Sequence, residues 1–254
     1  MNLKIIYNYF KVFNKIIWSE KIPFIYTLVA PALFFVFSNF SLYGEKHIDG
    51  SHLVLKGANY FGYIIVSVMV NGISLQLLNF RENGSLKTFT MISGGNKHLV
   101  ISGLIVSELF FGLICSTIFS TLVSTFDFHS FFFILLTSLF IYLISGIPIA
   151  FLVLFMAVLK VRANTMGTVS NLLVILFIWI AAVRRDTGNF LGEYLYGLIP
   201  NDYVTQVVIF IVRSFQGTFS LSGLYILIAV TVTYIVIGTW SLSKIQINSI
   251  YMRN

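Results

Sequence analysis

Apolar residues run along this chain in long blocks with few interruptions, at 22–43, 58–80, 99–124, 131–159, 166–183 and 221–242. Each block is close to the length of about 20 residues that a helix needs to cross a hydrocarbon core. Barrel strands would alternate in segments of about ten residues instead, so six spanning helices are expected. Residues 1–21 follow another pattern. At about 100° per residue, Lys4, Asn8, Lys11 and Lys15 share one narrow arc, while Ile6, Phe10, Phe13 and Ile17 project from the other side. This predicts a helix lying flat in the headgroup layer. Lysines recur along the segment and no small-residue cleavage site follows a short apolar core, so it does not read as a signal peptide. Pro23 suits the first turn of the next helix, while Pro31 and Pro148 fall inside the first and fourth spans and predict packing kinks.

Two connections are long. The inner one, 81–98, places Gly84, Gly94 and Gly95 around a short helical pattern, Ser85–Ile92. The outer one, 184–223, holds an apolar run at 204–215 that is too short to cross and predicts a helix or hairpin dipping part-way into the bilayer. No repeat or low-complexity segment suggests a second unit. Residues 1–254 therefore read as one transmembrane domain: interfacial helix 1–21, five spans within 22–183, outer hairpin 184–223 and a sixth span at 221–242.

Six spans put both termini on one side. That side receives Lys4, Lys11, Lys15, Lys21, Arg81, Lys87, Lys97, Lys160, Arg162, Lys244 and Arg253, eleven of the 16 basic residues. The other side receives Lys46, Lys56, Arg184, Arg185 and Arg213. The bias predicts cytoplasmic termini.

Composition closes off other classes. The chain is 57% hydrophobic and 10% charged, and Phe 26, Tyr 13 and Trp 3 outnumber all its charged side chains. A soluble domain is about 25% charged. The net charge of +7 is scattered between apolar blocks rather than gathered on a nucleic-acid-binding face, so no nucleic-acid partner is expected. Cys115 is the one cysteine and excludes an intrachain disulfide. His47, His52, His98 and His129 lack metal-ligand spacing. Gly94-Gly95-Asn96-Lys97 resembles a phosphate loop only superficially, because such a loop needs Gly directly before the Lys and Ser or Thr after it. No catalytic residue, metal or cofactor is expected in the chain, and energy for any work would come from a partner.

The layout and two local strings resemble the membrane permeases of type 2 ATP-binding-cassette exporters across essentially the whole chain. Phe80-Arg81-Glu82-Asn83-Gly84-Ser85-Leu86-Lys87 is similar to the acidic-x-Gly-Thr/Ser-Leu opening of that family's inner coupling helix. Ile199-Pro200-Asn201-Asp202-Tyr203-Val204, followed by Arg213 and Gly217, resembles its outer helix. The chain departs from the family at Ala181-Ala182-Val183-Arg184-Arg185-Asp186, where a Gly and a Pro often stand. Its richness in Ile, Phe, Asn and Lys is similar to that of proteins from low-GC Gram-positive bacteria, and among them to staphylococcal exporters of amphipathic peptide toxins, the phenol-soluble modulins. The resemblance implies an all-α polytopic membrane protein with six transmembrane helices, an N-terminal cytoplasmic interfacial helix and an outer re-entrant hairpin before the sixth helix. It further implies a homo- or heterodimer of permeases with two cytoplasmic ATPase subunits that carry ATP and Mg. The cargo would be an amphipathic peptide, a lipid-like molecule or a drug. Glu82, Gly84, Ser85, Leu86, Phe89 and Ile92 would form the coupling contact, and Pro200, Tyr203, Arg213 and Gly217 the outer hairpin. A non-pumping scaffold or immunity protein that binds a toxic peptide or assembles partners remains the alternative.

Polar residues inside the spans add candidates for the pathway or the dimer interface. Glu108 lies about nine residues into the third block, where a carboxylate is costly unless paired, wet or near the headgroups. Ser67, Asn71 and Ser74 share a face at helical spacing, with Gln76 and Asn79 nearer the inner end, and Thr168 and Asn171 do the same on the fifth span. Such stripes either knit helices together or line a path. Gly146 and Ala150 form a small-xxx-small pair suited to helix packing.

Overall fold

A computed structural model describes residues 2–19, 25–43, 49–184, 189–218 and 220–248, and among these there is no strand. Lys21, Pro23, Lys46, His47, Arg185, Asp186 and Arg253 lie outside the described residues. The helices are α1 (Asn2–Ser19), α2 (Ile25–Ser38), α3 (Gly50–Glu82), α4 (Ser85–Ile92), α5 (Lys97–Val123), α6 (Phe131–Val158), α7 (Ala163–Val183), α8 (Phe190–Gly197), α9 (Pro200–Phe215) and α10 (Leu221–Lys244). Five of them, α3, α5, α6, α7 and α10, are long and apolar enough to cross a membrane. The pair α8 and α9 passes the same test only as one broken unit, its arms bent by 115°.

Of the first apolar block, residues 25–43 are described, and there α2 covers Ile25–Ser38. It includes a π turn, Ile25–Val29, just before Pro31, which accommodates the missing proline N–H. It stops at Asn39, whose amide side chain folds back onto the Phe35 carbonyl at 2.9 Å. Pro148, in contrast, lies within an unbroken α6.

Helix α3 begins earlier than the apolar block at 58, because Asp49 caps it. The Asp49 side chain accepts from the Ser51 amide at 3.2 Å, and the Ser51 hydroxyl and amide hold its carboxyl below the ordinary range. The helix is interrupted by a π turn at Met69–Leu75. It forms the axis of the bundle: 78% of its apolar window is buried inside the protein, against 17% for α7 and 22% for α10.

The polar arc of α1 is exposed as expected, and Tyr9, Phe13 and Ile17 on its other side are buried. That side lies chiefly on α5 rather than only on lipid. Gly103 permits the close approach, since a Cβ there would stand 2.5 Å from the Tyr9 Cβ. Exposed Leu3, Tyr7 and Trp18 flank the contact. Between α5 and α6, Gly146 faces Leu109 and Tyr142, and Ala150 is fully buried, in keeping with a packing pair.

Helix α10 joins the bundle through α6. A Cβ on Gly238 would come within 2.5–2.7 Å of the Phe151 Cβ and backbone, so the two helices touch main chain to side-chain-free surface. Gly238→Val should lower stability by about 1–3 kcal/mol or more, because backbone cannot yield as a side chain does. Gly167→Ala, whose Cβ would meet only Leu75 Cδ1 at 3.7 Å, should be neutral or slightly stabilising. Thermal unfolding of both variants in the same detergent is the measurement; equal midpoints would contradict the packing.

Candidate functional site

At the end of the bundle that carries α1 and α4, Gly84 takes φ +75° and separates α3 from α4. Helix α4 is amphipathic, and the side it turns inward holds two of the coupling candidates. Leu86 is fully buried. Phe89 packs edge-on against Phe13 and Phe80, each with ring centroids 5.7 Å away, and Phe13 and Phe80 stack at 5.6 Å. The Tyr9 hydroxyl donates to the Phe89 carbonyl at 2.6 Å. Leu86 and Phe89 therefore belong to the protein's own core, where i, i+3 spacing places them together. Ser85 and Gly84 are half-buried. The surface open to a partner is Lys87, Thr88, Met91 and Ile92, with Met91 65% and Ile92 73% exposed.

Charged residues beside α4 hold helix ends. Arg81 is buried, and its guanidinium donates to the carbonyls of Ala157 (2.9 Å), Leu159 (3.0 Å) and Val161 (3.3 Å) at the end of α6. Glu82 Oε1 accepts from the Ala163 amide, the first of α7, at 2.7 Å. Lys97 Nζ donates to the Ser243 and Ile245 carbonyls at the end of α10, both at 2.9 Å. The sequence presents Arg81 and Lys97 only as orientation charges, and nothing in their spacing points to these distant partners.

Deeper in the bundle, Glu108 is 2% exposed and lies against Gly72 in the π turn of α3; a Cβ on Gly72 would collide with its carboxylate. The carboxylate is thus enclosed by protein rather than reaching outward. Glu108, Asn71, Gly72, Gln76 and Thr27 line a cavity of about 40 Å³, closed by Ile17, Val68 and Phe111, with room for a few water molecules. Thr27 belongs to the other π turn, at the start of α2. Among the described residues the Gln76 side-chain oxygen is buried without a hydrogen-bond partner.

The stripe of Ser67, Asn71 and Ser74 does not stay on one face. Asn71 Nδ2 donates to Ser67 Oγ at 3.1 Å, as i, i+4 spacing predicts. Ser74 Oγ instead donates to the Val153 carbonyl of α6 at 2.5 Å. The π turn between them shifts the helical phase, which a 3.6-residue period read from sequence cannot contain. Thr168 and Asn171 lie on the exposed side of α7, apart from this cluster.

At the opposite end, Pro200 opens α9 and Gly217, with φ +71°, closes it. Tyr203 is fully buried; its hydroxyl bonds Thr231 of α10 at 2.7 Å and its ring meets Tyr234 edge-on at 5.2 Å. Gly62 of α3 gives α9 room, since a Cβ there would strike the Asn201 side chain. Arg213 is exposed and lines a cavity of about 310 Å³. The strongest polar junction here was not among the sequence candidates. Arg184, at the end of α7, bonds both Asp202 oxygens at 2.8 and 2.7 Å and pairs with Glu193 of α8. One guanidinium thereby joins the α7 end to both arms of the hairpin.

Among the described residues no group of three His, Cys, Asp or Glu could hold a metal ion. No family model, curated protein or solved structure matches the chain. The helices define an all-α chain with several apolar helices, in keeping with a multi-pass membrane protein.

Proposed function

We propose that this chain is the transmembrane subunit of an ATP-driven exporter, with six spans, cytoplasmic termini and an outer re-entrant hairpin. It works as a homo- or heterodimer with two separate cytoplasmic ATP-binding-cassette subunits. The observation that carries the reading is α4: a short helix held by its inner side to the bundle and to α1, presenting Lys87, Thr88, Met91 and Ile92 outward. Exposed apolar side chains beside a lysine, outside any span, suit docking to a protein partner. Closure of the ATPases on ATP would press on this surface and bias the permease between two packings. Thr168 and Asn171, polar and exposed on the least covered spanning helix, suit contact with a second protomer, where each finds a partner across the interface. Amphipathic peptides, lipid-like molecules or drugs are the cargo class, and the peptide toxins exported by staphylococci are the narrower form of this reading.

Purification from native membranes in mild detergent tests it. The expected result is co-purification of an ATPase bearing a nucleotide-binding loop, with one ATPase per permease. Met91→Asp and Ile92→Asp should cut that association at least about tenfold by placing a charge in an apolar contact, while membrane insertion is unchanged. Absence of any ATPase, or association indifferent to both variants, would overturn the exporter and favour a scaffold.

A further inference from the structure

The two residues that end α3, and the one that starts α5, bracket α4 and grip the ends of three other helices. Arg81 offers a planar fork of donors to the Ala157 carbonyl in the last turn of α6 and to the Leu159 and Val161 carbonyls in the connection that follows. A cation also suits the negative end of that helix's dipole, and the next residue, Glu82, meets the positive end of α7 through the Ala163 amide. Consecutive side chains of opposite charge thus hold both sides of the short connection 159–162.

Lys97 makes the third attachment from a place that is unfavourable for its own helix. A cation at the start of α5 opposes the dipole there, and Asn96 supplies the local cap by accepting from the His98 amide at 3.0 Å. The ammonium instead reaches the last carbonyls of α10. The three carbonyls hold the buried Arg81 guanidinium in one orientation. Helix α1 adds a fourth attachment through Tyr9 and Phe89.

We infer that Arg81, Glu82 and Lys97 are positioning residues that fasten the α4 loop to the inner ends of α6, α7 and α10, so that a displacement of α4 carries those three ends with it. The source of the displacement rests on the exporter reading; the fastening does not. It gives one short surface helix mechanical access to spans distant in sequence, including α10, more than a hundred residues away.

Distance measurements between spin labels test the fastening in the permease alone, reconstituted in lipid nanodiscs in a Cys115→Ser background. One label is placed at Thr88→Cys, paired in turn with Lys160→Cys and Lys244→Cys. Both distributions should be narrow. Glu82→Met, which removes the acceptor for Ala163, should broaden the first about twofold, and Lys97→Met the second, each leaving the other narrow. Glu82→Gln keeps an acceptor oxygen and should retain the narrow distance, a rescue that loss of general stability would not give. Unchanged widths in both Met variants, or broadening of both distances by either one, would overturn the inference. With the ATPase added, both distances should keep their values on nucleotide binding. Altered distances in that complex would also overturn rigid fastening, whereas failure of the complex to form would count against the exporter reading alone.

Discussion

Asp202→Ala should destabilise the protein by about 1.5–3 kcal/mol, because it takes both carboxylate oxygens from a buried guanidinium and leaves Glu193 as its carboxylate partner. Asp202 is 1% exposed on its side chain and Arg184 11%, and Arg184 bonds both carboxylate oxygens. Arg184→Met should cost a similar amount by leaving the carboxylate buried. The double variant Arg184→Met with Asp202→Leu should recover most of the loss, since apolar side chains of similar size replace the buried pair and Glu193, 17% exposed on its side chain, can turn to water. Unfolding measurements on the three variants close the cycle, and hydrogen exchange should show α8 and α9 opening first in the single variants. Single losses that simply add in the double variant would show that the pair does not hold the hairpin.

The second large effect is expected where α3 and α5 touch. Gly72→Ala pushes a methyl into the space of the Glu108 carboxylate. The substitution should cost about 1–3 kcal/mol by overpacking. Glu108→Ala should relieve it in the double variant, with a coupling of about 1–3 kcal/mol between the two sites. Glu108→Gln keeps the shape and separates charge from volume. If the charge serves transport, export falls while thermal stability is kept. Independent, additive effects of Gly72→Ala and Glu108→Ala would contradict the contact.

The large features of this fold are legible in the sequence because a membrane imposes length and polarity on each segment separately. Helices α5, α6, α7 and α10 follow their apolar blocks to within a few residues at either end, and the polar arc of α1 is where its period places it. Helix α2 ends before its apolar block does, because the Asn39 side chain folds back onto the Phe35 carbonyl within an apolar run. The sites are less legible. Leu86 and Phe89 carry the family-like pattern, yet which side of an eight-residue helix faces inward is decided by Phe13 and Phe80, from elsewhere in the chain. Arg81, Lys97 and Arg184 are visible as charges, but their partners are carbonyls and carboxylates that only the packed bundle brings near. Glu108 stands out in the sequence for the cost of its charge, whereas its neighbour Gly72 gives no sign of the close approach it permits.

The π turn at Met69–Leu75 also bears on how one helix serves two environments. On its Gly50 side, Phe61, Gly62 and Ile65 belong to the half that receives α9; on its Glu82 side, Leu77, Leu78 and Arg81 belong to the half that meets α6 and the start of α7. A continuous α-helix would fix the angle between those two sets at 3.6 residues per turn. The wider turn absorbs an added residue and so resets that angle, each half keeping its own phase. Removing one residue from the turn would restore regular geometry and rotate Arg81 by about 100° relative to Gly62, away from the carbonyls it holds. The extra residue is therefore a phase shifter: it lets the two halves of α3 dock independently, while a single chain of backbone hydrogen bonds still runs between them.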